Sequence, residues 1–420
     1  MAGSNGPPRP KAARPSSSGS LPRSAIILGI VAGLASIRTG WVAVPLPYPA
    51  NGKHVHVAPG DVLPWRPRPF EGEFAHNTKL QRATRLFEGK IQGSESVAVS
   101  PEGRLVMLDK FNRVWEAEPA AGGGYELGAA PVAHLGAGRP LGYHFDANGD
   151  LIVCDSYKGL LKLERATGRV ELLTDRVSDS SPLDPGSFIT YANDLDIAAD
   201  GRVYFTSCSN IVPQKGEGGY WDTYRGWLLD VAQASPEGRL LRYDPATRET
   251  VVLTKGFYYG NGVALSKDGS FLLMVETNRI RVHRYWIKGP KAGTSEVVID
   301  RLPGVPDGVS RAADGSFWLA MLSPVPPIAK LLGEPGVRAV FAWMPDWLRP
   351  PPRPAGMVAK ITGDGEVLDF LDDPTGERVA YISAVSEAGG RLFIGNLVKD
   401  YVSVLDLGGG GGGGEAGASH

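Results

Sequence analysis

Short apolar runs with period-two alternation recur along this chain in pairs, each pair joined by a turn dipeptide. The clearest are residues 96–100 with 104–109, 142–146 with 151–155, 195–199 with 202–207, 262–266 with 271–276, 308–312 with 316–321, and 381–386 with 391–396. Such alternation predicts half-buried strands, and Asp-Gly between two such runs is a strong hairpin signal. Most pairs are followed by a second hairpin, as in 159–163 with 170–174 across Thr167-Gly168, or 239–243 with 250–254 across 245–247. Four strands per unit, repeated at roughly fifty residues, predict an all-β chain: a six-bladed β-propeller with four antiparallel strands per blade, spanning 84–407. Closure of the ring needs one more strand, and the segment 84–87 ahead of the first unit is a candidate to supply it.

The turns at 102, 148, 200, 268, 314 and 389 leave two long intervals, which contain insertions. In the first, 210–236, the stretch 220–234 follows the amphipathic spacing of a short helix, led by Asp222 and with Trp227, Leu228, Val231 and Ala232 on its apolar side. The second, 323–354, carries 328–332 and 337–348 between proline clusters. If both follow the second strand of their blades, they emerge on one face. They then act as lids over a pocket or as covers for blade edges, and contact of Trp343, Trp347 and Leu348 with a membrane is a further alternative.

Glu95, Asn193, Asn261 and Asp307 each stand seven positions before a turn dipeptide: Glu102-Gly103, Asp200-Gly201, Asp268-Gly269 and Asp314-Gly315. Asn-Gly and Asp-Gly are individually ordinary turn chemistry, but a common offset in four repeats places these side chains at equivalent points where the inner strands converge. Two carboxylates and two amide carbonyls are hard oxygen donors with a formal charge of about −2, a set suited to Ca²⁺ rather than Zn²⁺. The same offset falls on Leu141 in the second unit and on Ile382, next to Ser383, in the sixth. Those two blades are expected to present an apolar wall. Asp194, beside Asn193, is a supporting carboxylate, a further ligand or a turn cap. His144 reads as a packing histidine, and the phenols of Tyr143 and Tyr191 either reach the funnel or serve the core.

Composition narrows the partners. With 44 basic and 45 acidic residues the formal charge is −1, which excludes a nucleic-acid partner held by counterion release and favours a small neutral or mixed-polarity ligand. Glycine at 55 and proline at 34 fit many turns and few long helices. The two cysteines, Cys154 and Cys208, pair in an oxidising lumen or sit as buried small hydrophobes.

Residues 1–24 are basic and low in order-promoting content, and no acid appears before Asp61. With Arg38 snorkelling, 25–44 reaches the about twenty residues of a signal anchor, which puts the propeller on the lumenal or extracellular side of the ER or plasma membrane. A cleaved signal peptide, with Gly33 and Ala35 near the cut and a secreted or vacuolar product, and an organellar transit peptide are the rivals. Residues 45–83 read as a strap along the ring, and 408–420 as a disordered glycine-rich tail.

Several stretches carry a resemblance that covers about 86–407: RPLGYHFDANGDLIVCDSYKGL (139–160), YANDLDIAADGRVYFTSCS (191–209), GRLLRYDPATRETVVL (238–253), GNGVALSKDG (260–269) and PDGVSRAADGSFWLAM (306–321). The chain resembles the strictosidine synthase-like family of six-bladed propellers, in its adipocyte plasma membrane-associated branch, related to paraoxonase, diisopropyl-fluorophosphatase and the gluconolactonases. The resemblance implies a calcium ion held by Glu95, Asn193, Asn261 and Asp307, and hydrolysis of an ester or lactone, with Asp307 or Asp194 attacking or activating water. It departs from the pattern at two places. Ser383 stands where strictosidine synthase proper has a glutamate for amine–aldehyde condensation, and Leu141 where paraoxonase-like lactonases have a histidine. A calcium-stabilised, non-catalytic ligand-binding propeller is the alternative, and condensation the less favoured third.

Overall fold

The computed structural model describes residues 23–47, 55–60, 63, 65–349 and 351–408, so the expected basic segment up to residue 22 and the glycine-rich tail from 409 lie outside the described residues. Six antiparallel sheets are arranged as blades around one axis. Their inner strands are Ala98–Val99, Pro140–Phe145, Ala192–Ile197, Gly260–Leu265, Gly304–Arg311 and Ile382–Ala388. Each touches the next, and the sixth touches the first, so the ring is closed.

The hairpins form for the reason the sequence suggests. In the third blade Gly201 takes φ +83° and its N–H bonds Ala198 O at 2.9 Å, while Asp200 accepts the Arg202 N–H at 3.1 Å. The second strand of each blade, such as Leu151–Asp155 or Val203–Ser207, is buried on both faces and reads as a continuous apolar run. Its two faces serve different neighbours. Phe205 packs with Ile152 and Leu160 of the second blade, whereas Tyr204 packs with Val263 and Met274 of the fourth. An apolar cluster of this kind fills every interface between adjacent blades. A fully buried phenylalanine such as Phe205 or Phe317 contributes roughly 1.5–3 kcal/mol.

The sixth blade takes its outermost strand from the N-terminal side: Thr84–Leu86 pairs antiparallel with Val402–Asp406, through Thr84↔Val404 and Leu86↔Val402. Upstream of it the strap crosses the ring. Ala58 N–H bonds Gln233 O, Arg68 N–H bonds Arg301 O, and Asn77 ties to Phe370 and Asp372 on the outer strand of the fifth blade.

Both insertions follow the second strand of their blades and share one face. Three helices lie there: α1 (Arg23–Arg38), α2 (Thr223–Gln233) and α3 (Pro335–Trp343). The Asp222 carboxylate caps α2 by accepting the Arg225 N–H at 2.9 Å. α3 packs on α2 and on α1.

Over the expected signal anchor, 25–44, the described residues form α1, a helix of 16 residues, Arg23–Arg38. It stops at Arg38, whose guanidinium pairs with Glu334 instead of snorkelling, and the chain turns at Gly40 with φ +77°. No helix among the described residues is long and apolar enough to cross a membrane. Ile30, Val31, Trp41, Val340, Trp343 and Trp347 remain exposed around this cap. Cys154 and Cys208 are both buried free thiols.

Inner strands approach so closely that some positions admit only glycine. A Cβ on Gly262 would stand 2.4 Å from Val309 N and 2.7 Å from Asp307 O. Gly262→Ala is therefore expected to cost about 1–3 kcal/mol, a melting-temperature fall of several degrees by calorimetry. Gly122→Ala, where an added Cβ meets nothing within 4 Å, serves as the near-neutral control.

Candidate functional site

In five blades the ladder between inner and second strand breaks at the same place: between Pro140 and Tyr143, Ala192 and Leu195, Gly260 and Val263, Pro306 and Val309, and Ile382 and Val385. Such bulges re-aim side chains next to functional sites. The first residue in each break is Leu141, Asn193, Asn261, Asp307 and Ser383, and Glu95 takes that position ahead of the short inner strand of blade one. The equivalent residue of the sixth blade is thus Ser383 and not Ile382. Its turn, Gly389-Gly390, joins Ala388 directly to Arg391, so Val385 pairs with Ile394 one residue earlier than Leu195 pairs with Phe205. A shorter turn shifts a count made backwards from it.

Two residues before this ring the backbone is left-handed in four blades, at Gly93 (φ +60°), Tyr191 (+54°), Tyr259 (+65°) and Tyr381 (+58°). Aromatic residues adopt this conformation only under constraint, and such strain collects at functional sites. Tyr191 and Tyr259 meet edge to face with centroids 5.4 Å apart, and with Leu141 and Cys208 they form an apolar layer at the ring.

Glu95, Asn193, Asn261 and Asp307 are all buried, and each has one oxygen without a hydrogen-bond partner: Glu95 Oε2, Asn193 Oδ1, Asn261 Oδ1 and Asp307 Oδ2. Buried polar atoms are rarely left so, and four oxygens supplied by four blades form a donor set that suits a hard cation. The Asn261 amide is oriented by its partners. Thr277 Oγ1 donates to Pro306 O, so it accepts from Asn261 Nδ2 at 3.0 Å, and the same nitrogen also donates to Asp307 Oδ1. Asn261 Oδ1 and Asp307 Oδ2 are what remain.

Burial, then repulsion by Asp307, raises the Glu95 carboxyl well above its usual range, against the attraction of Arg139. Burial likewise pushes Asp307 up to about 8, despite the Asn261 hydrogen bond. Two buried carboxyls facing each other stay neutral or need a cation. Among the described residues no group of three or more His, Cys, Asp or Glu side chains is placed to hold a metal. The four oxygens reach a hard-cation donor set only by including two amides.

Asp194 does different work. Its Oδ1 accepts the Leu195 N–H at 2.9 Å and its Oδ2 the Val263 N–H at 3.1 Å, which ties blade three to blade four. Burial raises it to about 6, offset in part by half-buried His144. Tyr143 is a strut: its hydroxyl donates to Ser96 O and accepts the Leu108 N–H at 3.1 Å. Tyr191 donates to Thr223 O of α2 at 2.6 Å, holding the cap over the ring. Ser383 Oγ is committed to Glu95 O at 2.7 Å, across the seam between the last and first blades.

Sequence reasoning missed Arg139. It is 2% exposed, its Nη2 donates to Gly93 O at 2.9 Å, and it lies in the field of Glu95, Tyr191 and Tyr220. It was legible as the one charged residue at the position held by Gly93, Tyr191, Tyr259 and Tyr381 in other blades. Above the ring, a cavity of about 690 Å³ lies between α2, the end of α3 and the hairpin Gln214–Lys215 with Trp221–Asp222; Tyr220, Asp222 and Gly226 line it. None of the four oxygen-bearing residues does. Gly226 separates it from Tyr191, since a Cβ there would stand 3.0 Å from the Tyr191 ring.

The strictosidine synthase family model matches residues 193–290, and the strictosidine synthase-like N-terminal model residues 72–107. Strictosidine synthase-like 3 of Arabidopsis thaliana is 32% identical over 355 residues, covering 78% of this chain and 86% of that protein. The adipocyte plasma membrane-associated protein of Bos taurus is 31% identical over 366 residues, covering 80% and 82%. Among solved structures, a gluconolactonase from Xanthomonas campestris matches at TM-score 0.54 and 17% identity over 87% of this chain and 97% of that one, a likeness of fold. A luciferin-regenerating enzyme does so at TM-score 0.50 and 14% identity over 77% and 96%.

Raised carboxyl pKa values mean that the folded protein keeps protons the unfolded chain gives up. The contribution of these carboxyls to the stability of the cation-free protein is full below about pH 4 and is lost as pH rises through the folded values, toward about 8 for Asp307. The melting temperature of chelator-treated protein should fall across that window, and Asp307→Asn should flatten the fall.

Proposed function

This chain belongs to the strictosidine synthase-like family, and from that premise we propose that it is a calcium-dependent hydrolase of small-molecule esters or lactones. The observation that carries this reading is the set of four buried, unpartnered oxygens supplied by four blades. Glu95, Asn193, Asn261 and Asp307 would hold the ion. Bound there, calcium would polarise a substrate carbonyl and stabilise charge developing on its oxygen, worth several kcal/mol.

The residues around it have distinct parts. Asn261 Nδ2 fixes Asp307 Oδ1 and so orients the carboxylate, which would serve as a ligand through Oδ2 and as the group that attacks or activates water beside the ion. Asp194, with both oxygens on backbone N–H groups, supports the ring and is the weaker candidate for that step. Leu141, Tyr191 and Tyr259 exclude water from the carbonyl face. Lactones are included because a gluconolactonase shares the fold. The relatives' name supports a membrane or secretory-pathway address in the coarse sense.

A second reading, a calcium-stabilised binding module without chemistry, is favoured by one observation: at the ring positions of blades two and six stand Leu141 and a serine whose hydroxyl is already committed to Glu95 O. Amine–aldehyde condensation gains nothing from Ser383 for the same reason.

Chelation followed by reloading with Ca²⁺ or Mg²⁺ separates the readings. A hydrolase should lose aryl-ester and lactone turnover on chelation, regain it with Ca²⁺, and fall by roughly 10²-fold or more in kcat with Asp307→Asn. A binding module should show a Ca²⁺-dependent melting temperature and no turnover in any state.

A further inference from the structure

Arg139 combines deep burial beside the ring with an unspent donor. Its Nη1 is buried without a hydrogen-bond partner, while Nη2 is spent on Gly93 O. Glu95 stands near enough to act on it electrostatically, yet the two make no ion pair, and Glu95 Oε2 is unpartnered as well. A guanidinium placed only to neutralise Glu95 would have closed that gap, because an unpaired buried charge is costly. Asp109 acts on the guanidinium as well, again without an ion pair, so Nη1 stays unspent.

The second cation nearby points the same way. Lys110 is half-buried, with its Nζ over the Tyr220 ring at 4.4 Å and the Phe111 ring at 5.4 Å. It lies in the field of Arg139 and has no carboxylate within ion-pair distance among the described residues, although Asp109 and Asp222 act on it from further off. Tyr220, whose ring meets Lys110 Nζ, also lines the 690 Å³ cavity beside α2 and stands in the field of Arg139. A volume of that size suits a small ligand. On the opposite side Leu141, Tyr191 and Tyr259 supply an apolar wall.

We propose that Arg139, with Lys110 behind it, is a carboxylate-recognition subsite, so that the molecule bound at the ring carries a free carboxylate on an apolar body. This rests on the hydrolytic reading and deepens it: the substrates are esters or lactones that also bear an acid group. Arg139 Nη1 supplies the charge-assisted hydrogen bond and Lys110 the outer positive field, while the ion that the ring oxygens would hold would meet the ester end. A carboxylate fits better than a phosphate, because one spare guanidinium N–H cannot satisfy a dianion beside Glu95 and Asp307.

Calorimetric titration of the full chain, saturated with Ca²⁺, with benzoate, benzamide and phenyl phosphate tests this without relying on turnover. Benzoate should bind at least about ten-fold more tightly than its neutral isostere, as expected for a charge-assisted bond. Arg139→Met should bring that ratio close to one, and Arg139→Lys should keep part of it. Should Arg139→Met fail to fold by circular dichroism, Lys110→Gln provides the second reading, with benzoate weakened several-fold and the benzoate-to-benzamide ratio lowered. Equal affinity for benzoate and benzamide, a ratio unmoved in the variants, or tighter binding of phenyl phosphate would each overturn the proposal. Benzoate preference without ester or lactone turnover would sink the hydrolytic reading and leave the subsite standing; turnover of esters with no preference for an acid group would do the reverse.

Discussion

Six strands that converge on one axis bring their most polar atoms into a space where the protein cannot satisfy them all. Glu95, Asn193, Asn261 and Asp307 each keep one oxygen unpartnered in a buried ring. Everything around that ring is arranged to tolerate it. The bulges turn one residue per blade toward the axis, small residues such as Gly142 and Gly262 let the strands approach, and Thr206, Ser383 and Asp194 tie neighbouring blades by hydrogen bonds to backbone. The apolar clusters at the blade interfaces hold the strained centre in place.

Much of this was legible in the sequence because it depends on local chemistry. The Asp-Gly turns announce themselves, the doubly buried second strands read as apolar runs, and a common offset from the turn marks four of the ring residues. The same offset failed in the sixth blade, where Gly389-Gly390 makes a shorter turn and Ser383 takes the place assigned to Ile382. Counting from a turn assumes that its length is conserved among repeats. In the N-terminal segment, hydropathy sees Ala25 to Val44 as one stretch, while the pairing of Arg38 with Glu334, 296 residues away, is something no local pattern reveals. Arg139 went unnoticed for a related reason: its importance lies in what it does not contact, and absence of a partner is a property of three dimensions.

The cap gives the ring a second layer with chemistry of its own. Tyr191 hangs from α2 by its hydroxyl, and the buried Asp230 of α2 accepts from Ser209 at 2.5 Å and from Asn278 at 2.8 Å. The helix is thus docked by polar bonds as well as by Leu229 and Ala232. Family membership explains the propeller and the oxygen ring, while Leu141 and Ser383 are where this chain sets its own limits. Neither Leu141 nor Ser383 brings a titratable group to the ring, so Glu95 and Asp307 are its carboxyls and Arg139 is the buried cation beside it.

The way the ring is closed has a consequence for the order in which its properties arise. The last blade is completed by pairing Thr84–Leu86 with Val402–Asp406, so one of the earliest strands to be made waits for the final one. Glu95 lies directly beside that seam, its carbonyl held by Ser383 from the far end of the chain. A nascent polypeptide can build five blades and still have no cavity that gathers four oxygens. The four oxygens therefore share a closed ring only after Thr84–Leu86 has joined the strand Val402–Asp406.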